Sequence, residues 1–107
     1  MIKHVVAFKV NSNYKKEEKE VAIKEIVDAL EKLPSKIEQI KSYEVSINVT
    51  EKSNAMDFLL ISEFDNFEDL QIYQNHHEHI AVVAIIAKHK ESSWFVDYFK
   101  EEFLITS

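Results

Sequence analysis

Two histidines and a tyrosine of this sequence stand where a proton could be moved. His4 shares a strand face with Ile2, Val6, Phe8 and Val10, so its imidazole is set among apolar side chains. Desolvation on such a face favours the neutral ring, which can accept a proton. A structural histidine bonded to a nearby carbonyl or hydroxyl is the plainer reading of the same pattern. His79 stands just before the apolar run Ile80 to Ala87. The N-terminus of a helix there would also disfavour imidazolium and leave a base. Tyr73 could hold a substrate oxygen, or be a core aromatic with a bonded hydroxyl. Tyr73 and His79 lie six residues apart, which is about 120° apart on a straight helix. They can meet only if the chain breaks near His76–Glu78.

The same segment, His76-His77-Glu78-His79, invites a metal reading. A structural or catalytic zinc needs further ligands, and no spacing elsewhere marks one, so no metal or cofactor is assigned. The missing residue types narrow the chemistry further. There is no Cys, hence no thiol nucleophile, thiolate site or disulfide. There is no Gly to build a phosphate-cradling loop. All 13 cationic residues are Lys, so no guanidinium fork is available. Nineteen acids against these lysines give a formal charge of −6, which provides no basic field for nucleic acid. The Ile80–Ala87 run is too short to cross a bilayer. The N-terminal residues lack a secretory pattern, so a cytoplasmic protein is expected.

The elements that must position these residues follow from the patterning. Ile2 to Val10 alternates as a strand. Ser12 and Asn13 are placed to cap a helix over about Lys15 to Leu33, with Ile23, Ile26, Val27 and Leu30 as its apolar stripe and Pro34 near its end. Tyr43 to Thr50 alternates as a half-buried edge strand. Asp57 to Phe64 is apolar on both faces and reads as a central strand. Asn66 caps a short helix with Phe67, Leu70 and Tyr73 at its spacing. Ile80 to Ala87, apolar all round, reads as a buried helix, and Trp94 to Phe99 as a last strand. Asn48 could donate to a carbonyl but reads more simply as an exposed edge residue. Trp94, Phe95 and Tyr98 read as core or interface aromatics. The tail from Lys100 carries Phe103, Leu104 and Ile105, which want cover.

The 107 residues therefore read as a single α+β domain of order β-α-β-β-α-β, the ferredoxin-like arrangement. Helices cover one sheet face only. Val5, Ala7, Leu59 and Ile61 are left on the other, which argues for a homodimer packed sheet to sheet.

The order of motifs resembles the stress-responsive A/B barrel (Dabb) family over about residues 1–98. Met1-Ile2-Lys3-His4-Val5-Val6-Ala7-Phe8-Lys9 resembles its opening and Tyr43-Glu44-Val45 through Asn48-Val49 its second strand. Ser62-Glu63-Phe64 with Leu70 and Tyr73 resembles its third strand and following helix. His76-x-x-His79 resembles its His-Pro-x-His segment, and Val96-Asp97-Tyr98 its last strand. The resemblance implies a dimeric α+β barrel. The family includes plant stress proteins, olivetolic acid cyclase and many bacterial members, and shares its architecture with cofactor-independent monooxygenases.

By resemblance to the cyclase, His79 is a general base for an aldol condensation, Tyr73 orients the substrate, and His4 is a pocket histidine. Val6, Phe8, Leu60 and Val82 line an apolar cavity. His77 stands where the family has proline, Val83 is bulkier than its counterpart, and Lys90 replaces an aromatic. The expectation is a small-molecule pocket, with His-based chemistry on a small apolar carbonyl compound. The alternatives are a non-catalytic ligand-binding or stress-protective dimer, and a cofactor-free oxygenase.

Overall fold

The computed structural model describes residues 1–100. Four strands and three helices run in the order β1 (Ile2–Val10), α1 (Lys16–Glu31), β2 (Ser42–Ile47), β3 (Phe58–Phe64), α2 (Phe67–Asn75), α3 (His77–His89) and β4 (Lys90–Phe99), with a 3₁₀ turn at Leu33–Ser35 after α1. The sheet order is β2-β3-β1-β4, and every neighbouring pair is antiparallel. This is the ferredoxin-like arrangement, with β1 and β3 central as the two-sided apolar patterning requires.

Alternation in β1 and β3 decides which side chains meet the helices. Ile2, His4, Val6, Phe8 and Val10 are buried, while the residues between them are half-buried. Phe58, Leu60, Ser62 and Phe64 of β3 face the same way. Ile23, Ile26 and Leu30 of α1, Leu33 and Ile37 after it, Leu70 and Tyr73 of α2, and Val82 and Ile86 of α3 close the core over them. Phe8 and Phe58, direct partners across β1 and β3, stack with centroids 4.7 Å apart.

Several boundaries differ from the sequence expectation, each for a local reason. Ser12 does not cap α1. Its amide and hydroxyl both donate to Glu91 at the start of β4 (2.9 and 2.6 Å), a charge-assisted pair that outweighs a neutral cap. The Lys15 amide instead donates to Glu18, one turn inside the helix. β2 stops at Ile47, because the Asn48 side chain turns the backbone: its Nδ2 donates to the Met56 carbonyl and its Oδ1 accepts from the Thr50 amide. That occupies Asn48 structurally and leaves Val49 exposed.

β3 begins at Phe58 because Asp57 is occupied as a buried anchor. Its carboxylate accepts from the Val10 amide at 2.8 Å and the Lys19 ammonium at 2.6 Å. β4 starts at Lys90, four residues earlier than its aromatic pattern suggests, and a register shift at Lys9/Val10 accommodates the extra pairing. The expected burial of Ile80–Ala87 on all sides is not found: Val82 and Ile86 are buried, but Ile80 is 56% and Val83 44% exposed. Only one stripe of α3 meets the core. Phe103, Leu104 and Ile105 lie outside the described residues.

Candidate functional site

The break between α2 and α3 builds the site. Asn66 caps α2 through the Asp69 amide (2.8 Å), and the helix runs until His76, whose backbone turns extended (φ −67°, ψ 135°). The chain restarts with the His76 ring accepting from the Glu78 amide at 3.1 Å. The new helix axis swings His79 back over Tyr73, and their ring centroids lie 4.3 Å apart. The convergence that a straight helix forbids is thus produced by a one-residue interruption, with His77 in the place a proline would take.

His79, Val83 and Ala87 then form a stripe at i, i+4 and i+8 on α3, on one wall of a cavity of about 230 Å³. His4, Val6, Phe8 and Leu60 of the sheet, Phe95 of β4, and Gln74 and Lys90 at its edges complete most of the lining. Of the four residues expected to line a cavity, Val6, Phe8 and Leu60 are in this lining. Val82 is not. One residue before Val83, it is turned about 100° around the helix and packs into the core.

Tyr73 also stands back from the cavity. It is fully buried, and its hydroxyl is paired with that of Tyr43 at 2.7 Å. Its ring touches both imidazoles, with centroids 4.3 Å from His79 and 6.5 Å from His4. Burial pushes the Tyr73 phenol up to about 12 and that of Tyr43 higher still, so both remain hydroxyls.

The two histidines are held differently. His79 Nδ1 lies 3.1 Å from the Gln74 carbonyl oxygen, which can only accept. The proton therefore sits on Nδ1, and in the neutral ring Nε2 keeps its lone pair. Burial lowers the pKa of His79 below the usual imidazole value, outweighing the raising effect of the Gln74 bond. His4 Nδ1 is hydrogen-bonded to the Asp97 carboxylate. The two residues are opposite one another in the β1–β4 ladder. This is the base-and-orienter geometry of acid–base sites, on two rigid strands.

Sequence reasoning gives Asp97, Gln74 and Tyr43 no role in the site and reads Phe95 only as a core or interface aromatic. The available signal was parity: Phe95, Asp97 and Phe99 alternate onto one face of β4, and an acid between aromatics asks for a partner. The His76–His79 segment does not assemble a metal site. His77 is exposed and stacked on His76, His79 turns to Gln74, and no group of three metal-ligating residues forms among the described residues. A larger groove of about 660 Å³, near the β2–β3 loop, is lined by Lys9, Lys19 and Asp57 among others. Three of its charged groups are already engaged, Lys19 with Asp57 and Lys9 with backbone carbonyls.

The opposite sheet face is open. Trp94, Val96 and Tyr98 are 68%, 60% and 44% exposed there, beside half-buried Val5, Ala7, Leu59 and Ile61. No helix among the described residues is long and apolar enough to cross a membrane.

Comparison with known proteins agrees with this architecture. An uncharacterized protein of Streptomyces coelicolor is 33% identical over 85 residues, 79% of this chain and 86% of that one. The crystal structure of a dimeric protein of unknown function and ferredoxin-like fold from Bacteroides fragilis is 40% identical, with a TM-score of 0.83 over 91% of this chain and 93% of that one. Hydroxynitrile lyase from Passiflora edulis shares the fold at 12% identity, with a TM-score of 0.79 over 96% and 95% of the two chains. Residues 2–100 match the family model described as Stress responsive A/B Barrel Domain, and the chain belongs to that family.

Proposed function

We propose that this protein is a homodimeric, cofactor-independent enzyme that removes a proton next to the carbonyl group of a small, mostly apolar substrate. The observation that carries the reading is the His79 ring. Its Nδ1–H is spent on the Gln74 carbonyl and its pKa is lowered by burial, which leaves Nε2 as a neutral base at the cavity wall. His79 takes the proton. His4, held through Nδ1 by Asp97, donates to the carbonyl oxygen as enolate charge develops whenever its Nε2 carries a proton. Tyr73, bonded to Tyr43 behind the wall, is a positioning residue that fixes the His79 ring rather than a group that touches substrate. The apolar floor of Val6, Phe8 and Leu60 excludes water, which strengthens both interactions.

The test is proton exchange in D₂O with 2-octanone, followed by loss of the α-proton signals in the NMR spectrum. Wild-type protein should exchange them about 10²-fold faster than His79→Ala, with both proteins showing the same far-UV circular dichroism. Equal rates would remove His79 from the chemistry. Binding of 2-octanone without any exchange would return the protein to a ligand-holding dimer.

A further inference from the structure

The cavity has two unlike ends. The imidazoles of His4 and His79 stand at one, and Lys90, the one lysine of its lining among the described residues, stands at the other. Lys90 is paired with Val10, six residues along β1 from His4 (4 to 10), or about 20 Å of strand. Along α3 it is eleven residues from His79 (79 to 90), or about 16 Å of helix. Between the ends the lining is apolar.

The charge balance around Lys90 is as informative as its place. Lys88, His89 and Lys90 are three consecutive basic side chains at the end of α3. Glu25 of α1 takes the first two, at 3.2 and 2.7 Å. Glu91, the nearest acid in the chain, is held by Ser12. Among the described residues no carboxylate lies within ion-pair distance of Lys90. Lys90 is exposed and solvated, no ion pair competes for it among the described residues, and it is free to meet an anion that enters the cavity from its end.

We infer that Lys90 binds a carboxylate, and that the substrate class is an oxo acid whose carbonyl and carboxylate groups are separated by an apolar chain. The identity of the reacting end rests on the imidazole reading above. The anionic end rests on Lys90 alone. A cavity of about 230 Å³ has room for a short oxo acid and little more. The fit is electrostatic as well as steric: an ammonium is a point charge that accepts a carboxylate from several directions, which suits the flexible end of a ligand whose other end is fixed.

The experiment compares 7-oxooctanoate, its methyl ester and 2-octanone by calorimetric titration and by α-proton exchange, in wild type, Lys90→Met and Lys90→Glu. Wild type should bind the acid at least about tenfold tighter than the ester, and the ratio should shrink as salt is raised. Lys90→Met, which keeps an arm of similar length, should bring the ratio to within about twofold, and Lys90→Glu should invert it. No preference in wild type, or a preference that survives both substitutions, overturns the inference. Exchange of ester and acid at equal rates overturns it while leaving the base reading intact. Preferential binding of the acid without exchange does the reverse. Failure of all three compounds to bind overturns both.

Discussion

The Nδ1 of His79 lies 3.1 Å from the Gln74 carbonyl oxygen, a bond that reaches across the break at His76 and ties the start of α3 to the end of α2. It fixes the ring, the tautomer and the angle between two helices at once. Because burial lowers its pKa, His79 is harder to protonate in the folded chain than in the unfolded one, whose value is 6.5. The unfolded state then binds more protons below that value. The stability conferred by a neutral His79 is complete above about pH 6.5 and is lost as pH falls through it toward the folded value. His79→Gln, which keeps a donor for the Gln74 carbonyl, should lose less Tm than wild type between pH 6.5 and about pH 5. Parallel Tm curves for the two proteins would show that His79 is not the group responsible.

The Tyr43–Tyr73 hydroxyl pair should behave as a coupled unit. Tyr73 is fully buried, and Tyr43 →Phe would leave its hydroxyl without a partner, a loss of about 1–3 kcal/mol. Removing both hydroxyls leaves no orphan, so the double variant Tyr43→Phe/Tyr73→Phe should cost less than the two single changes added together. Urea denaturation of the four proteins closes the cycle. Additive losses would mean that the 2.7 Å contact contributes nothing specific.

The sequence made the sheet legible because alternation in Ile2–Val10 and Phe58–Phe64 is strict, and the two-sided character of both segments marked them as central. The meeting of Tyr73 and His79 was legible for a different reason: their spacing is incompatible with one straight helix, and the pattern lapses between them. What the sequence did not disclose depends on register and on rotation about a helix. Asp97 meets His4 only because β4 pairs with β1 in one particular register. Val83 rather than Val82 lines the cavity because α3 is turned toward α1 through Val82 and Ile86, a choice made by packing. The start of α1 is legible to within a residue, but its cap is not, because Ser12 meets a carboxylate far along the chain, a competitor that local capping rules do not include.

Asp97→Asn tests whether the β1–β4 pairing serves the chemistry. The amide is neutral and can present either an acceptor or a donor to His4 Nδ1, so the ring is no longer held in one orientation by a charged acceptor. Turnover in the exchange assay should fall about 10²-fold with little change in KM, since the substrate contacts are unaltered. An unchanged rate with reduced Tm would assign the pair to stability alone.

The open sheet face gives the last prediction. Trp94 and Val96 project from β4 beside Val5 and Ala7 of β1, and Leu59 and Ile61 continue the surface onto β3. An apolar face built by three adjacent strands is larger than isolated surface residues require, and a second sheet packed about 10 Å away would cover it on both copies symmetrically. The flanking pair Lys3 and Glu63, 4.0 Å apart across β1 and β3, supplies polar groups at the edge where a packed interface meets water. Sedimentation equilibrium should give about 25 kDa, twice the chain mass of 12.6 kDa. Trp94→Glu/Val96→Glu places four carboxylates in that interface per dimer, and desolvating them costs more than the contact returns. The variant should sediment at the mass of one chain while keeping its helical circular dichroism. A variant that stays dimeric would move the contact to another surface and leave Trp94 and Val96 without an explanation for their exposure.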